Sequence, residues 1–217
     1  MYVSNYTEKR SLIMRKTKEE AQVTREQVLQ AALRVFRRKG YAATTLEEIA
    51  QEAGFTRGAI YNHFEGKAQL YQLLIQQGFL RLNEAFEKAF DADGTIEERL
   101  RHLLISPLVF LEEDDLTQGV IELTLFKSEV SVSLTNGRAL KQQGSQAMIE
   151  RIAQIFDEGI AQGVLRADID RRTEALALLA TINGAILLWF QGEMAFSLKT
   201  LASTLADTFL YGVVFSA

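Results

Sequence analysis

Within eight residues, Thr56, Arg57, Gly58, Tyr61, Asn62 and His63 gather hydrogen-bonding groups of the kinds that read nucleic acid. An arginine guanidinium is a planar fork that matches the O6 and N7 acceptors of guanine, and an asparagine amide pairs with a base edge or a phosphate. Gly58 places nothing bulky among them. Thr44 and Thr45 precede one short apolar-periodic stretch and Lys67 precedes another. Free N–H groups and the helix dipole attract phosphate at such helix starts. Arg15, Lys16 and Lys18 supply charge suited to a neighbouring minor groove. Contacts of this second kind position a protein on DNA, whereas the first kind specifies sequence.

Such residues need two short helices meeting at a tight turn. Thr45 with Glu48 makes a capping box, followed by a buried side of Leu46, Ile49, Ala50 and Ala53. Gly54 breaks that helix. A third begins at Thr56 and runs to about His63, with Ala59, Ile60 and Phe64 inward. A small Ala for close approach, a Gly for the turn and Ile60 as anchor give the layout of a helix-turn-helix. Thr24 with Gln27 reads as a capping box opening a first helix, whose stripe is Val28, Ala31, Ala32, Val35 and Phe36 and whose end is Gly40. A long helix is predicted from Lys67 to about Phe90, and others over 95–111, 116–128, 134–162, 170–191 and 195–213. The expected fold class is all-α, with about nine helices.

Composition closes off several alternatives. The 217 residues hold no Cys, which removes disulfides, thiolate metal sites and Cys nucleophiles. His63 and His102 are the two imidazoles, far apart in sequence, so neither a metal nor a cofactor is expected. The acidic run Glu112, Glu113, Asp114 and Asp115 reads as solvated, and no nucleophile–base pairing or Gly-rich phosphate loop accompanies it. No enzyme activity is expected. The opening MYVSNYTEKRSLIMRK lacks a secretion signal and no unbroken apolar run reaches a membrane's width, so the expectation is a cytoplasmic chain with no membrane partner. Charge is uneven: residues 1–70 carry 12 Lys/Arg against 8 Asp/Glu, the remainder 12 against 20. A basic front and an acidic back suit a protein that meets phosphate at one end.

The stretch GYAATTLEEIAQEAGFTRGAIYNHFEGKAQLY resembles the DNA-binding domain of the TetR family, a likeness that covers about residues 15–75. IELTLFKSE and GIAQGVLRADIDRRTEALALLATINGAILLW are more loosely similar to its AcrR-type branch, whose members often control multidrug efflux. Asn62 departs from the family pattern, standing where many relatives carry Trp, and this bears on the operator sequence.

The resemblance implies a basic arm over 1–17, a DNA-binding domain over 18–70, and a ligand-binding and dimerisation domain over 71–217. It implies a homodimer on palindromic double-stranded operator DNA, joined through the last two helices, with Leu176, Trp189, Leu201, Leu205 and Phe209 at the interface. It also implies a pocket lined by Phe110, Ile121, Leu125, Met148, Leu179, Ile182, Asn183 and Ile186. Nearly all of these are apolar, so the effector class expected is a small hydrophobic or aromatic molecule. A transcriptional activator of the same fold, and a helical carrier of hydrophobic ligands without specific DNA binding, are the competing readings.

Overall fold

Apolar residues at three- and four-residue spacing form helices, and capping residues and glycines set where they end. The computed structural model describes residues 22–126 and 135–214, with backbone alone over 135–143. Helix α1 covers 22–39, followed by α2 (Leu46–Ala53), α3 (Arg57–Tyr61), α4 (Lys67–Phe90) and α5 (Ile96–Glu113). Then come α6 (Asp115–Phe126), α7 (Thr135–Ala161), α8 (Arg171–Gln191) and α9 (Leu198–Val213). The all-α expectation holds.

Several boundaries differ from those predicted; α5 runs on to Glu113 and α9 starts only at Leu198, after its cap Ser197. Helix α1 is already formed at residue 22, so Thr24 is an interior position and not a cap. Gln22 and Val23 continue the helix upstream, which a Thr-x-x-Gln pattern cannot reveal. Helix α3 is shorter than predicted, ending at Tyr61 with Asn62 as its C-cap.

The chain divides into two compact units. The first contains described residues 22–78 and 119–126, the second 79–118 and 135–214. Packing draws the line at residue 78, inside α4, and adds a returning segment from α6. In the first unit α1 buries Val28, Ala31, Ala32, Val35 and Phe36, and Ile49, Ile60, Leu70 and Leu74 complete the core. The end of α6 docks here through glycines. A Cβ on Gly78 would lie 2.6 Å from the Cβ of Val120, and one on Gly119 would lie 2.9 Å from a Leu33 methyl. Only hydrogen fits at Gly78, and at Gly119 the Leu33 side chain would have to move. Arg37 Nε donates to Glu122 at 2.7 Å beside it.

In the second unit α5 packs along α9, and α7 along α8. Leu100, Leu103, Leu104, Leu108 and Leu111 of α5 are buried, as are Ile152 and Phe156 of α7, Leu178 and Ile182 of α8, and Ala202 and Ala206 of α9. The small residues of α9 let α5 approach closely.

Candidate functional site

The turn between α2 and α3 is built on Gly54, which caps α2 in the left-handed conformation (φ 74°) and donates to the carbonyls of Ala50 and Gln51. A side chain there would strain the backbone. Phe55 N–H returns to Ala50 O at 2.9 Å, so the two helices share one hydrogen-bonded corner. Thr56 caps α3, its hydroxyl accepting from Ala59 N–H at 3.2 Å. With Ile60 fully buried, the remaining α3 side chains are forced outward. Thr56, Arg57, Gly58, Tyr61 and Asn62 are exposed together, and His63 is half-buried. Gly58 matters by its openness: a Cβ added there would meet nothing nearer than Thr56 Oγ1 at 3.9 Å. Nothing inside the protein demands a glycine at that point, which leaves the space for something outside it.

Arg57 does not stand alone. It pairs with Glu47 of α2, and its Nη2 donates to the Tyr61 hydroxyl at 3.1 Å. The Tyr61 hydrogen bond, then the charge of Glu47, hold its guanidinium above its usual value.

In the second unit a cleft of about 460 Å³ opens between α4 and α5, lined by Arg81, Glu84, Lys88, Ser106, Phe110 and Asp114 among others. Arg81 is tied to Asp114 at 2.8 Å. Helix α8 carries a further surface. Leu176, Ala180, Asn183 and Leu187 recur at helical spacing and are all exposed. Leu188 beside them is 59% exposed, and Tyr211 of α9 is 86% exposed. By length and mean hydropathy (1.6) α8 is apolar enough to cross a membrane. Thr181, Asn183 and Gly184 interrupt its apolar run and conceal this from a search for an unbroken one.

Residues 28–74 match the model of bacterial regulatory proteins of the tetR family, and residues 97–215 match the C-terminal region of MAATS-type transcriptional repressors. The chain belongs to the TetR family. It is similar to the HTH-type transcriptional regulator TtgR of Pseudomonas putida, at 32% identity over 82% of this chain and 85% of that one. Among solved structures it is similar to NalD, the secondary repressor of the MexAB-OprM multidrug efflux pump in Pseudomonas aeruginosa. There the TM-score is 0.71 and identity 27%, over 92% of this chain and 100% of that one. A SmeT–triclosan complex aligns at TM-score 0.68 and 28% identity, over 90% and 93% of the two chains. The chain is therefore a transcriptional repressor of the TetR family and not an enzyme.

For a TetR-family chain the predicted site residues separate into distinct groups. The α3 face and Thr45 are exposed as a DNA-reading surface requires. Thr44 is 1% exposed and its hydroxyl donates to Gly40 O at 2.7 Å, so it locks a turn and offers nothing to phosphate. Lys67 directs its ammonium inward, to the carbonyls of Tyr41, Ala42 and Thr44. Lys16 and Lys18 lie outside the described residues. Of the expected pocket, Phe110 alone lines the cleft. Ile121 and Leu125 belong to the first unit. Ile182 and Ile186 are buried, Leu179 and Met148 half-buried, and Asn183 lies at the surface. Of the expected interface, Leu176 is exposed and Trp189 is 3% exposed, its indole N–H donating to Phe196 O at 2.8 Å. Leu201, Leu205 and Phe209 are half-buried within the subunit. Glu47 and the α6 docking glycines are the features sequence reasoning missed.

The site also carries a pH dependence. Glu48 closes the α2 capping box, and a hydrogen bond from Lys39, then one from Thr45 N–H, hold its carboxyl below its ordinary 4.5. A depressed folded value gives stabilisation that is complete above the unfolded value and lost as pH falls through the folded one. Glu48→Gln keeps an N3 side chain able to cap but removes the charge. The thermal midpoint of the variant is expected to fall less steeply than the parent's between about pH 5 and 3. Parallel melting curves across that range would show that the Glu48 charge contributes nothing.

Proposed function

We infer that the protein holds its operator as a homodimer, each α3 in the major groove of one half of an inverted repeat, and lets go when a small aromatic effector binds. The observation that carries this reading is the α3 face: hydrogen-bonding side chains gathered around a glycine that packing does not require. In the groove Arg57 pairs with guanine and Asn62 with a base edge or phosphate, while Thr45 and Tyr61 position the helix on the backbone.

The partner for the exposed α8 stripe is a second copy, because symmetric pairing sets two recognition helices at one fixed spacing. The relative that represses an efflux pump and the one bound to triclosan support an efflux regulon and an aromatic ligand. Within the second unit such a ring would lie on Phe110 in the α4–α5 cleft. Release then follows from population shift: effector favours a spacing of the two α3 helices that no longer fits both half-sites. The end of α6, held against α1 by Gly119 and Arg37, is the element suited to pass that change on. The site of action is the cytoplasm, where the DNA is.

Selection of bound duplexes from random DNA at near-physiological salt tests the reading directly. An inverted repeat is expected. Gly58→Val should then fold normally, since a Cβ there meets nothing nearer than 3.9 Å, yet lose at least about tenfold in affinity for the selected repeat through steric exclusion from the groove floor. Unchanged binding by that variant would place the DNA elsewhere.

A further inference from the structure

Arg57 is the basic side chain of α3, and without DNA it is already engaged. Its Nη1 pairs with Glu47 across the turn, its Nη2 donates to Tyr61, and its guanidinium sits 5.4 Å from the centre of the Tyr61 ring. The side chains of Glu47 and Arg57 are 55% and 56% exposed, so the pair opens onto the same surface as the rest of α3. An exposed pair of this kind is cheap to open. Its importance lies in where the charges are. A carboxylate held within a Debye length (about 8 Å) of a row of phosphates is repelled by it.

We propose that Glu47 sets sequence specificity by acting against non-cognate DNA. This rests on the reading of Arg57 as the base-contacting residue. Where a site presents guanine, O6 and N7 replace the carboxylate as a bidentate acceptor, and Arg57 leaves Glu47. Where it does not, no acceptor pair compensates the exchange. Arg57 stays with Glu47, its charge taken up by that pair and withheld from the phosphate backbone. Glu47 thus removes from every wrong sequence a cationic contact that carries no sequence information.

Glu47→Gln releases Arg57 to phosphate on any duplex. With the purified full chain, Glu47→Gln should bind a scrambled duplex about three- to tenfold more tightly, and its slope of log affinity against log salt should steepen by about 1.8, the value of two phosphate contacts, one per subunit. On the inverted repeat selected by the parent protein the slope should not change, because Arg57 is on the base already. The ratio of specific to non-specific affinity therefore falls. Equal gains on both duplexes with unchanged slopes would overturn the proposal. Arg57→Ala separates the two levels of inference. If it leaves the specificity ratio intact, the base-reading role of Arg57 fails, and that of Glu47 with it. If it collapses the ratio while Glu47→Gln does not lower it, only the Glu47 role fails. In the Arg57→Ala background, Glu47→Gln should leave the non-specific slope unmoved.

Discussion

Leu188→Glu is expected to convert the protein to a monomer and to lower its operator affinity about a hundredfold or more, the avidity that two linked half-sites confer. Leu188 is 59% exposed, Leu176 47% and Leu187 39%, on a helix apolar enough to pass for a membrane span. Covering them by a second copy removes this surface from water at about 25 cal/mol per Å². A two-fold interface uses the same patch on both subunits, so one substitution enters twice. Two carboxylates would then be carried into an apolar contact, each at an effective penalty of several kcal/mol. Sedimentation velocity and operator titration read the two consequences. Each subunit should keep its helicity, because Leu188 is not part of the subunit core. A variant that remains dimeric would remove α8 from the interface. One that becomes monomeric with operator affinity intact would remove the need for two half-sites.

The helix that carries Leu188 is only partly legible in the sequence. Helix existence and order were legible because caps and glycines mark the ends: Thr45 with Glu48, Gly54, Thr56 and Asp170 sit where the chemistry of helix termini puts them. Which face of α8 looks outward was not legible. Its buried stripe of Leu178, Ile182, Ala185 and Trp189 and its exposed stripe of Leu176, Leu187 and Leu188 are equally apolar, so periodicity selects no face. Trp189 was therefore expected at an interface and is found in the core. The docking of α6 was hidden for a different reason. Arg37 and Glu122 lie 85 residues apart, and nothing in the local pattern around Gly78 or Gly119 shows which glycine meets which side chain. The α3 face was legible because it breaks the rule that governs its surroundings: exposed hydrogen-bonding groups and a glycine stand where a plain surface helix would carry strong helix formers.

Lys67 shows how residue type and position can mislead. Residue type and position at a helix start suggested a phosphate contact. Its ammonium instead donates to Tyr41 O at 3.0 Å, Ala42 O at 3.2 Å and Thr44 O at 2.7 Å, and sits 4.7 Å from the centre of the Tyr41 ring. An ammonium has three N–H donors, and here each has a carbonyl. These carbonyls belong to the turn that ends α1 and aims α2, so one side chain from α4 fixes the corner on which the helix-turn-helix is mounted. Lys67→Met keeps the length of the stem and removes every donor. Water can reach Ala42 O, whereas the other two bonds are partly buried, so the loss is expected at about 2–4 kcal/mol from charge-assisted bonds broken and carbonyls left wanting. For a unit of this size that is a fall of roughly 10 °C or more in its melting temperature. Lys67→Arg should recover little, because a planar fork cannot serve three converging carbonyls. Calorimetry without DNA distinguishes the roles. A clamp lowers the melting temperature before any DNA is added, and a phosphate contact leaves it unchanged while flattening the salt dependence of binding by about one contact per subunit.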